Sequence, residues 1–294
     1  MPASPSRARR VIDAQGHSNI ARLGDGRAAF GDPYHFLITR SWPALFLFIA
    51  LVYLSLNVIF ALLYLAGGDA IAHARPGSFS DAFFFSVHTL ATIGYGTMSP
   101  RGLYGNVLVT IEALLGLLGL ALMTGLVFAK FSQPTARVLF SRNAVISRRE
   151  GKTSLMFRMA NRRANQIVEA HLRVILARND RTAEGEPLRG IHELKLVRDD
   201  SPLLILSWTA IHPIDESSPL HGETAESLAA CEAEIIVVLV GIDETFSQTI
   251  HARYSYTPDE IVWGARFADI LCVMPDGRRA IDYGLFHEVI RLPS

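Results

Sequence analysis

The sequence predicts a two-part molecule: a membrane part with two spanning helices and a re-entrant helix between them, then an all-β sandwich. Three observations predict this. Residues 43–68 carry no charge, and a second long apolar run follows at 105–131. Between the two lies a short apolar stretch that ends in a glycine-bearing loop, "SDAFFFSVHTLATIGYGTMSP". From about Ala144 the hydrophobic pattern turns to period two, with turn signals such as "PDG" between segments.

The elements follow in order. Residues 1–31 are polar, bear arginines and are rich in Ala, Gly and Ser, which predicts a flexible tail; the first apolar run starts too late and is too long for a secretory signal. "DPYHFLITRSW", residues 32–42, predicts a short interfacial helix. Asp32 can cap it, Pro33 suits its first turn, and Tyr34, Leu37 and Ile38 share one face. The first span is expected at 43–68, since roughly 20 apolar residues cross about 30 Å of hydrocarbon. A helix over 80–91, with Ser80 as its cap, is apolar enough to enter a bilayer and too short to cross it. The irregular backbone after it is tolerated at that depth only when buried in protein or lining water. The second span is expected at 104–131, closing a membrane domain of 43–133. Its interior charge, Glu112, is expensive in lipid and should face inward.

Residues 134–143 read as a linker and 144–294 as the β domain. Its strands are expected in "SLMFRMANRR", "IVEAHLRVILAR", "HELKLVRD", "LLILSWTAIHPI", "AEIIVVLVGID", "QTIHARYSY", "ARFADILCVM" and "RAIDYGLFHEVI", with a short helix in "TAESLAAC". Formal net charge is zero, so total charge gives no argument for nucleic acid as a partner. Cys231 and Cys272 lie far apart, which fits two buried thiols in a reducing compartment rather than a disulfide framework. Lys and Arg crowd the N-terminal tail and the stretch after the second span; between the spans there are Arg75 and Arg101. The positive-inside rule then puts both termini of this multi-pass chain in the cytoplasm, with an inner membrane as the expected location.

The segment Thr92-Ile93-Gly94-Tyr95-Gly96 carries the chemistry. A backbone that strips water from a cation must aim successive carbonyl oxygens at one axis, and it can do so only if its dihedrals alternate in hand. Gly94 and Gly96 take positive φ without steric cost. Thr92 can add its hydroxyl below the carbonyls, and Tyr95 can wedge outward and hold the loop at fixed width. Four such loops replace the hydration shell of potassium. One chain supplies one loop, so a homotetramer of cyclic symmetry follows. The re-entrant helix aims the negative end of its dipole at the water-filled cavity, which favours a cation there. No cofactor is called for, and the one metal expected is K+ at this filter. Gly-Tyr-Gly alone is a weak signal; Thr-Ile-Gly-Tyr-Gly between a short apolar helix and a second span is a strong one.

With those residues in hand, the chain resembles the inward-rectifier potassium channel family, in particular its bacterial KirBac branch. "DPYHFLITRSWPALF" looks like the family's slide helix and the start of its outer helix, and "TIGYG" like its filter. "LMTGLVFAKF" looks like the end of its inner helix. "SLMFRMANRR", "HPIDESSPL" and "YTPDEIVWGARFADI" resemble segments of its cytoplasmic immunoglobulin-like domain. The resemblance covers roughly residues 30–290. It implies a potassium-selective tetramer, gated where the inner helices cross and by the cytoplasmic domain and anionic lipid.

Carried over by position, Phe128 is the bulky residue that closes the pore by dewetting, or else it faces lipid. Leu120, Thr124 and Phe128 form one helical stripe; the resemblance, not the spacing, makes it pore-lining. Gly116, Gly119 and Gly125 serve either as hinges or in close helix packing. Strongly rectifying members carry an acid where Leu120 stands, so block by Mg2+ or polyamines should be weak unless acids in the cytoplasmic pore substitute. His88 and Thr97 also stand where bacterial relatives commonly have acids. His88, behind the filter with Glu112, either makes conduction pH-dependent or is a neutral hydrogen-bonding group. Arg40, Lys130 and Arg137 are the expected contacts for anionic phospholipid or phosphoinositide, or else a solvated basic fringe; bacterial members suggest inhibition by phosphoinositide.

Two rival readings differ in class. A channel with a ligand-sensing β domain for nucleotide would need a Gly-rich βαβ unit, and no such string follows a strand here. A non-conducting, membrane-anchored β-sandwich binding protein leaves the re-entrant helix and filter without a role. An enzyme is not expected: His212, Asp215 and Ser217 crowd one loop-like segment, a poor start for a triad, and His287 and Glu288 are adjacent, which on a strand points them to opposite faces.

Overall fold

The computed structural model describes residues 10–12, 33–132, 136–163 and 165–293. They fall into two compact units, one within Gly24–Gln133 and the other formed by Met1–Leu23 with Pro134–Ser294.

The first unit is helical. A short helix α1 (Pro33–Thr39) is followed at once by α2 (Trp42–Ala66). The expected helix over 32–42 is thus shorter, and Trp42 belongs to the span. The reason is Pro43, which has no N–H to bond back to Thr39 and whose ring would strike that carbonyl. Asp32, the expected cap, lies outside the described residues. At 25 residues, α2 is about 37 Å long and can cross a bilayer. It ends two residues before the expected boundary.

The re-entrant helix α3 spans Phe79–Leu90. Its cap is Ser78, whose hydroxyl accepts from the Asp81 N–H at 3.3 Å, rather than Ser80, which falls inside the first turn. The second span α4 covers Gly102–Phe131, 30 residues with few breaks in apolarity. Phe60, Ala61 and Tyr64 of α2 pack on Ala82 and Phe85 of α3 and Leu108 of α4. Two very short strands, β1 (Ile71–Ala72) and β2 (Ser99–Pro100), pair antiparallel and tie the approach to α3 to the stretch that leaves the filter.

The second unit is a β-sandwich. One sheet holds β12 (Ile261–Trp263), β4 (Ala144–Arg149), β5 (Lys152–Asn161) and β3 (Val138–Phe140) in that order, with β9 (Ser207–Pro213) also paired to β5. The other holds β11 (Gln248–Tyr256), β10 (Glu234–Asp243), β6 (Ile167–Arg181) and β7 (Pro187–Glu193), with β8 (Asp200–Leu204) also paired to β6. Alternate residues from both meet in one core: Leu155, Phe157 and Met159 from β5 face Leu172, Val174 and Leu176 from β6 and Ile235, Val237 and Leu239 from β10. The outer face of β5 is covered as well. Met156 packs on Ala265 of β13 (Ala265–Phe267), and Ala160 on Ile270 and Phe286. β13 pairs with β16 (Val289–Arg291), and β14 (Leu271–Val273) with β15 (Arg279–Ile281).

Several expectations are corrected here. The sandwich starts at Val138, not 144, because Val138–Phe140 pairs with the end of β5. "HELKLVRD" is not one strand. After Glu193 the chain crosses between the sheets, so that the Val197 N–H bonds the Ile211 carbonyl at 2.9 Å, and it returns to β6 as β8. "LLILSWTAIHPI" divides at Ile205–Leu206 into β8 and β9, which lie in different sheets. "ARFADILCVM" and "RAIDYGLFHEVI" likewise split into two short strands each. "TAESLAAC" does form a helix, α5 (Ala225–Ala230), with Thr224 as its cap. Part of the expected flexible tail is bound to the sandwich: the Val11 N–H donates to Glu234 Oε2 at 3.0 Å, and Ser255 Oγ donates to the Ile12 carbonyl at 2.9 Å.

Candidate functional site

The filter segment hangs from the C-terminal end of α3. The Ala91 N–H donates to the Val87 carbonyl at 3.1 Å and the Thr92 N–H to Thr89 at 3.0 Å. The Ile93 and Gly94 N–H groups both donate to the His88 carbonyl, at 2.8 and 3.3 Å. Thr92, Gly94 and Gly96 have φ of 56°, 61° and 79°, while Ile93 and Tyr95 do not enter the positive region. The backbone therefore alternates in hand residue by residue, the geometry that turns successive carbonyls to one side. Thr92 is the surprise: a β-branched residue there is strained by about 1–3 kcal/mol, and only the glycines advertised left-handed positions in the sequence.

The side chains expected to serve the pore are of two kinds. Tyr95 is 68 % exposed, and its ring meets the His88 ring edge-on with centroids 4.9 Å apart. Leu120 and Phe128 are 64 % and 70 % exposed, and Thr124 is exposed with its hydroxyl donating back to the Leu120 carbonyl at 2.8 Å. Leu120, Thr124 and Phe128 present one exposed stripe of α4. Glu112, by contrast, is wholly buried, as its cost in lipid requires. Tyr64 Oη donates to Glu112 Oε2 at 2.6 Å, Ser86 Oγ contacts Glu112 Oε1, and Ser86 Oγ also lies 3.0 Å from Asn57 Oδ1. The polar group thus joins α2, α3 and α4. Asn57, Tyr64 and Ser86 were not singled out from the sequence. The signal was there: a lone carboxyl in one span needs polar partners, and Asn57 is an amide in the middle of the other.

The three α4 glycines expected as hinges or packing sites separate. A Cβ on Gly116 would lie 2.4 Å from the Leu90 carbonyl oxygen, so Gly116 is where α4 packs on the end of α3. Gly119 and Gly125 have open space around them.

Of the expected lipid contacts, Arg40 is exposed with its guanidinium 4.3 Å from the Phe36 ring centroid, and Arg137, in the second unit, is exposed. Lys130 differs from expectation. It is buried, and its ammonium donates to the carbonyls of Ile38 and Arg40 at 2.6 and 2.5 Å and lies 5.3 Å from the Trp42 ring centroid. It closes the C-terminal end of α1 instead of standing at a surface.

In the β domain, His212 Nδ1 bonds the Lys195 carbonyl at 2.6 Å and Nε2 bonds Ser218 Oγ at 2.7 Å. Asp215 instead accepts from Ser217 Oγ at 2.7 Å. His212, at the end of β9, and Asp215 and Ser217 beyond it do not form a relay. Burial pushes the His212 imidazole below its ordinary value, and burial likewise lowers Arg158 of β5 to about 10.

Comparison with known proteins agrees in both units. Residues 44–133 match the family described as "Ion channel", and residues 138–294 match "Inward rectifier potassium channel C-terminal domain". The chain is 51% identical to the inward rectifier potassium channel Kirbac3.1 of Paramagnetospirillum magnetotacticum, over 97% of each chain. It is 33% identical to the G protein-activated inward rectifier potassium channel 3 of Homo sapiens, over 97% of this chain and 78% of that one. The ATP-sensitive inward rectifier potassium channel 12 of Bos taurus is 36% identical over 97% and 72%.

Proposed function

Since the chain belongs to the inward rectifier potassium channel family and is a potassium-selective channel, we propose that Thr92–Gly96 is its filter and that four copies of the chain assemble around it. The observation that carries this reading is the alternating hand of the backbone at 92, 94 and 96. Carbonyls turned to one side in a single chain coordinate an ion only when other chains complete the ring. The exposed stripe of Leu120, Thr124 and Phe128 then lines the inner pore, with Phe128 as the constriction. Leu120 offers no charge to a blocking cation, so rectification by Mg2+ or polyamines is weak. Potassium passes as the permeant ion without a cofactor.

Both termini lie on the cytoplasmic side of a cell's inner membrane, by the distribution of Lys and Arg. Anionic lipid acts through Arg40 and Arg137, which are both exposed, while Lys130 acts through α1. The test is ion uptake by liposomes containing the purified protein. Potassium uptake that barium blocks, with sodium largely excluded, is expected. A protein that runs as a monomer in mild detergent, or admits sodium as readily, overturns the assignment.

A further inference from the structure

The buried group behind α3 contains more acceptors than donors if Glu112 is ionised. Asn57, Ser86 and Glu112 are 0% exposed and Tyr64 1%. Asn57 Nδ2 donates to the Tyr53 carbonyl at 2.8 Å. That bond fixes the amide, because the flipped rotamer would set Asn57 Oδ1 against a carbonyl oxygen. Asn57 Oδ1 therefore faces Ser86 Oγ as an acceptor. On its other side Ser86 Oγ faces Glu112 Oε1. A hydroxyl has one proton. With a carboxylate at 112, Ser86 can serve one of these two oxygens, and the other is left against it without a hydrogen between them, among buried side chains.

One added proton on Glu112 Oε1 completes every bond. Tyr64 donates to Glu112 Oε2, Glu112 donates to Ser86, Ser86 donates to Asn57, and Asn57 donates to Tyr53. Buried polar groups are satisfied in this way as a rule, and a half-satisfied network is costly. The relay reaches the filter through a short stretch of α3: two residues after Ser86, the His88 carbonyl receives the Ile93 and Gly94 N–H groups. On the same helix, Leu90 is seated on Gly116.

We propose that Glu112 is a neutral carboxylic acid in a one-way hydrogen-bond relay, Tyr64–Glu112–Ser86–Asn57, and that this relay is the positioning device that sets α3, and with it the filter, between the two spans. It rests on the reading of Thr92–Gly96 as the filter. It makes a distinction that a simple buried charge would not: glutamine, which can accept from Tyr64 and donate to Ser86, is an adequate replacement.

The experiment compares wild type with Glu112→Gln, Glu112→Leu and Ser86→Ala as full-length protein in liposomes, reading potassium against sodium uptake. Glu112→Gln should keep the wild-type ratio. Glu112→Leu and Ser86→Ala should lose roughly tenfold in discrimination, the scale of one broken buried hydrogen bond. Infrared spectra should show a protonated-carboxyl stretch that vanishes in Glu112→Gln. A glutamine variant that behaves like leucine, or a wild type without the carboxyl band, overturns the neutral-acid assignment; an unaltered ratio in Glu112→Leu and Ser86→Ala overturns the positioning role. If Glu112→Leu fails to assemble, Glu112→Gln and the infrared band still decide. A wild type that passes both ions alike refutes the filter reading instead, and the band, read without ion flow, reports on Glu112 all the same.

Discussion

At the scale of single residues, two positions have sharply opposed chemistry. Gly116 sits where α4 touches the last carbonyl of α3. Alanine is the better helix former by about 1 kcal/mol, but its methyl would lie 2.4 Å from a backbone oxygen that cannot rotate away. Overpacking of this kind costs about 1–3 kcal/mol, so Gly116→Ala should lower the melting temperature of the assembled protein, measured by thermal denaturation in detergent. His212 shows the other kind of constraint. Its ring is neutral in the fold, bonded at both nitrogens and lowered by burial, while in the unfolded chain it titrates near 6.5. The unfolded state therefore takes up the proton first. The stability contributed is fully present above pH about 6.5 and declines as pH falls toward the folded value. A denaturant midpoint for the β domain that drops on acidification, with a shallower drop in His212→Gln, is the expected result.

At the scale of elements, the clearest case is α1, which is too short to persist unaided. Lys130 supplies what it lacks, donating to two carbonyls at its C-terminal end and covering Trp42. Lys130→Met keeps the stem and removes the donors. Charge-assisted bonds contribute about 1.5–3 kcal/mol each, so amide exchange over Pro33–Thr39 should speed up by about tenfold or more while α2 is unaffected. Unchanged exchange would return Lys130 to the membrane surface.

The same element shows what a sequence can and cannot disclose. The two spans, α3 and the long strands β10 and β11 were legible because their periodicity extends over many residues. The break at Arg40 follows from one missing N–H at Pro43, a local effect that an apolar count does not register. β8 and β9 read as one strand because Leu203 to Ile214 is continuously rich in apolar residues, and the sheet each half joins depends on pairing with β6 or β5, far away in the chain. In the site, Gly94 and Gly96 announced their conformation, and Thr92 did not. Glu112 was visible as an anomaly, but its partners sit on two other helices, and such distances in sequence carry no spacing rule.

At the scale of the whole molecule, the exposed apolar surface of α4 fits a spanning helix that meets lipid and other copies of the chain. Phe128 is the largest side chain on the stripe that four copies would turn toward a common axis. If four phenyl rings close that axis by excluding water, Phe128→Ala should raise resting potassium uptake several-fold and leave the exclusion of sodium untouched, because the filter and the constriction are separate. An alanine variant with wild-type uptake would place the ring against lipid.

The small ladder of β1 and β2 has a consequence for integrity at the mouth of this assembly. Ile71 pairs with Pro100 and Ala72 with Ser99, and the Arg101 N–H reaches the Ala70 carbonyl at 2.8 Å. The exposed turn from His73 to Gly77 follows β1 directly, and Arg75 within it grips Asp81 of α3. A protease that nicks this exposed bend would sever the polypeptide yet leave both cut ends buttoned to the frame, so clipped protein should still sediment, and still conduct, as the intact form does.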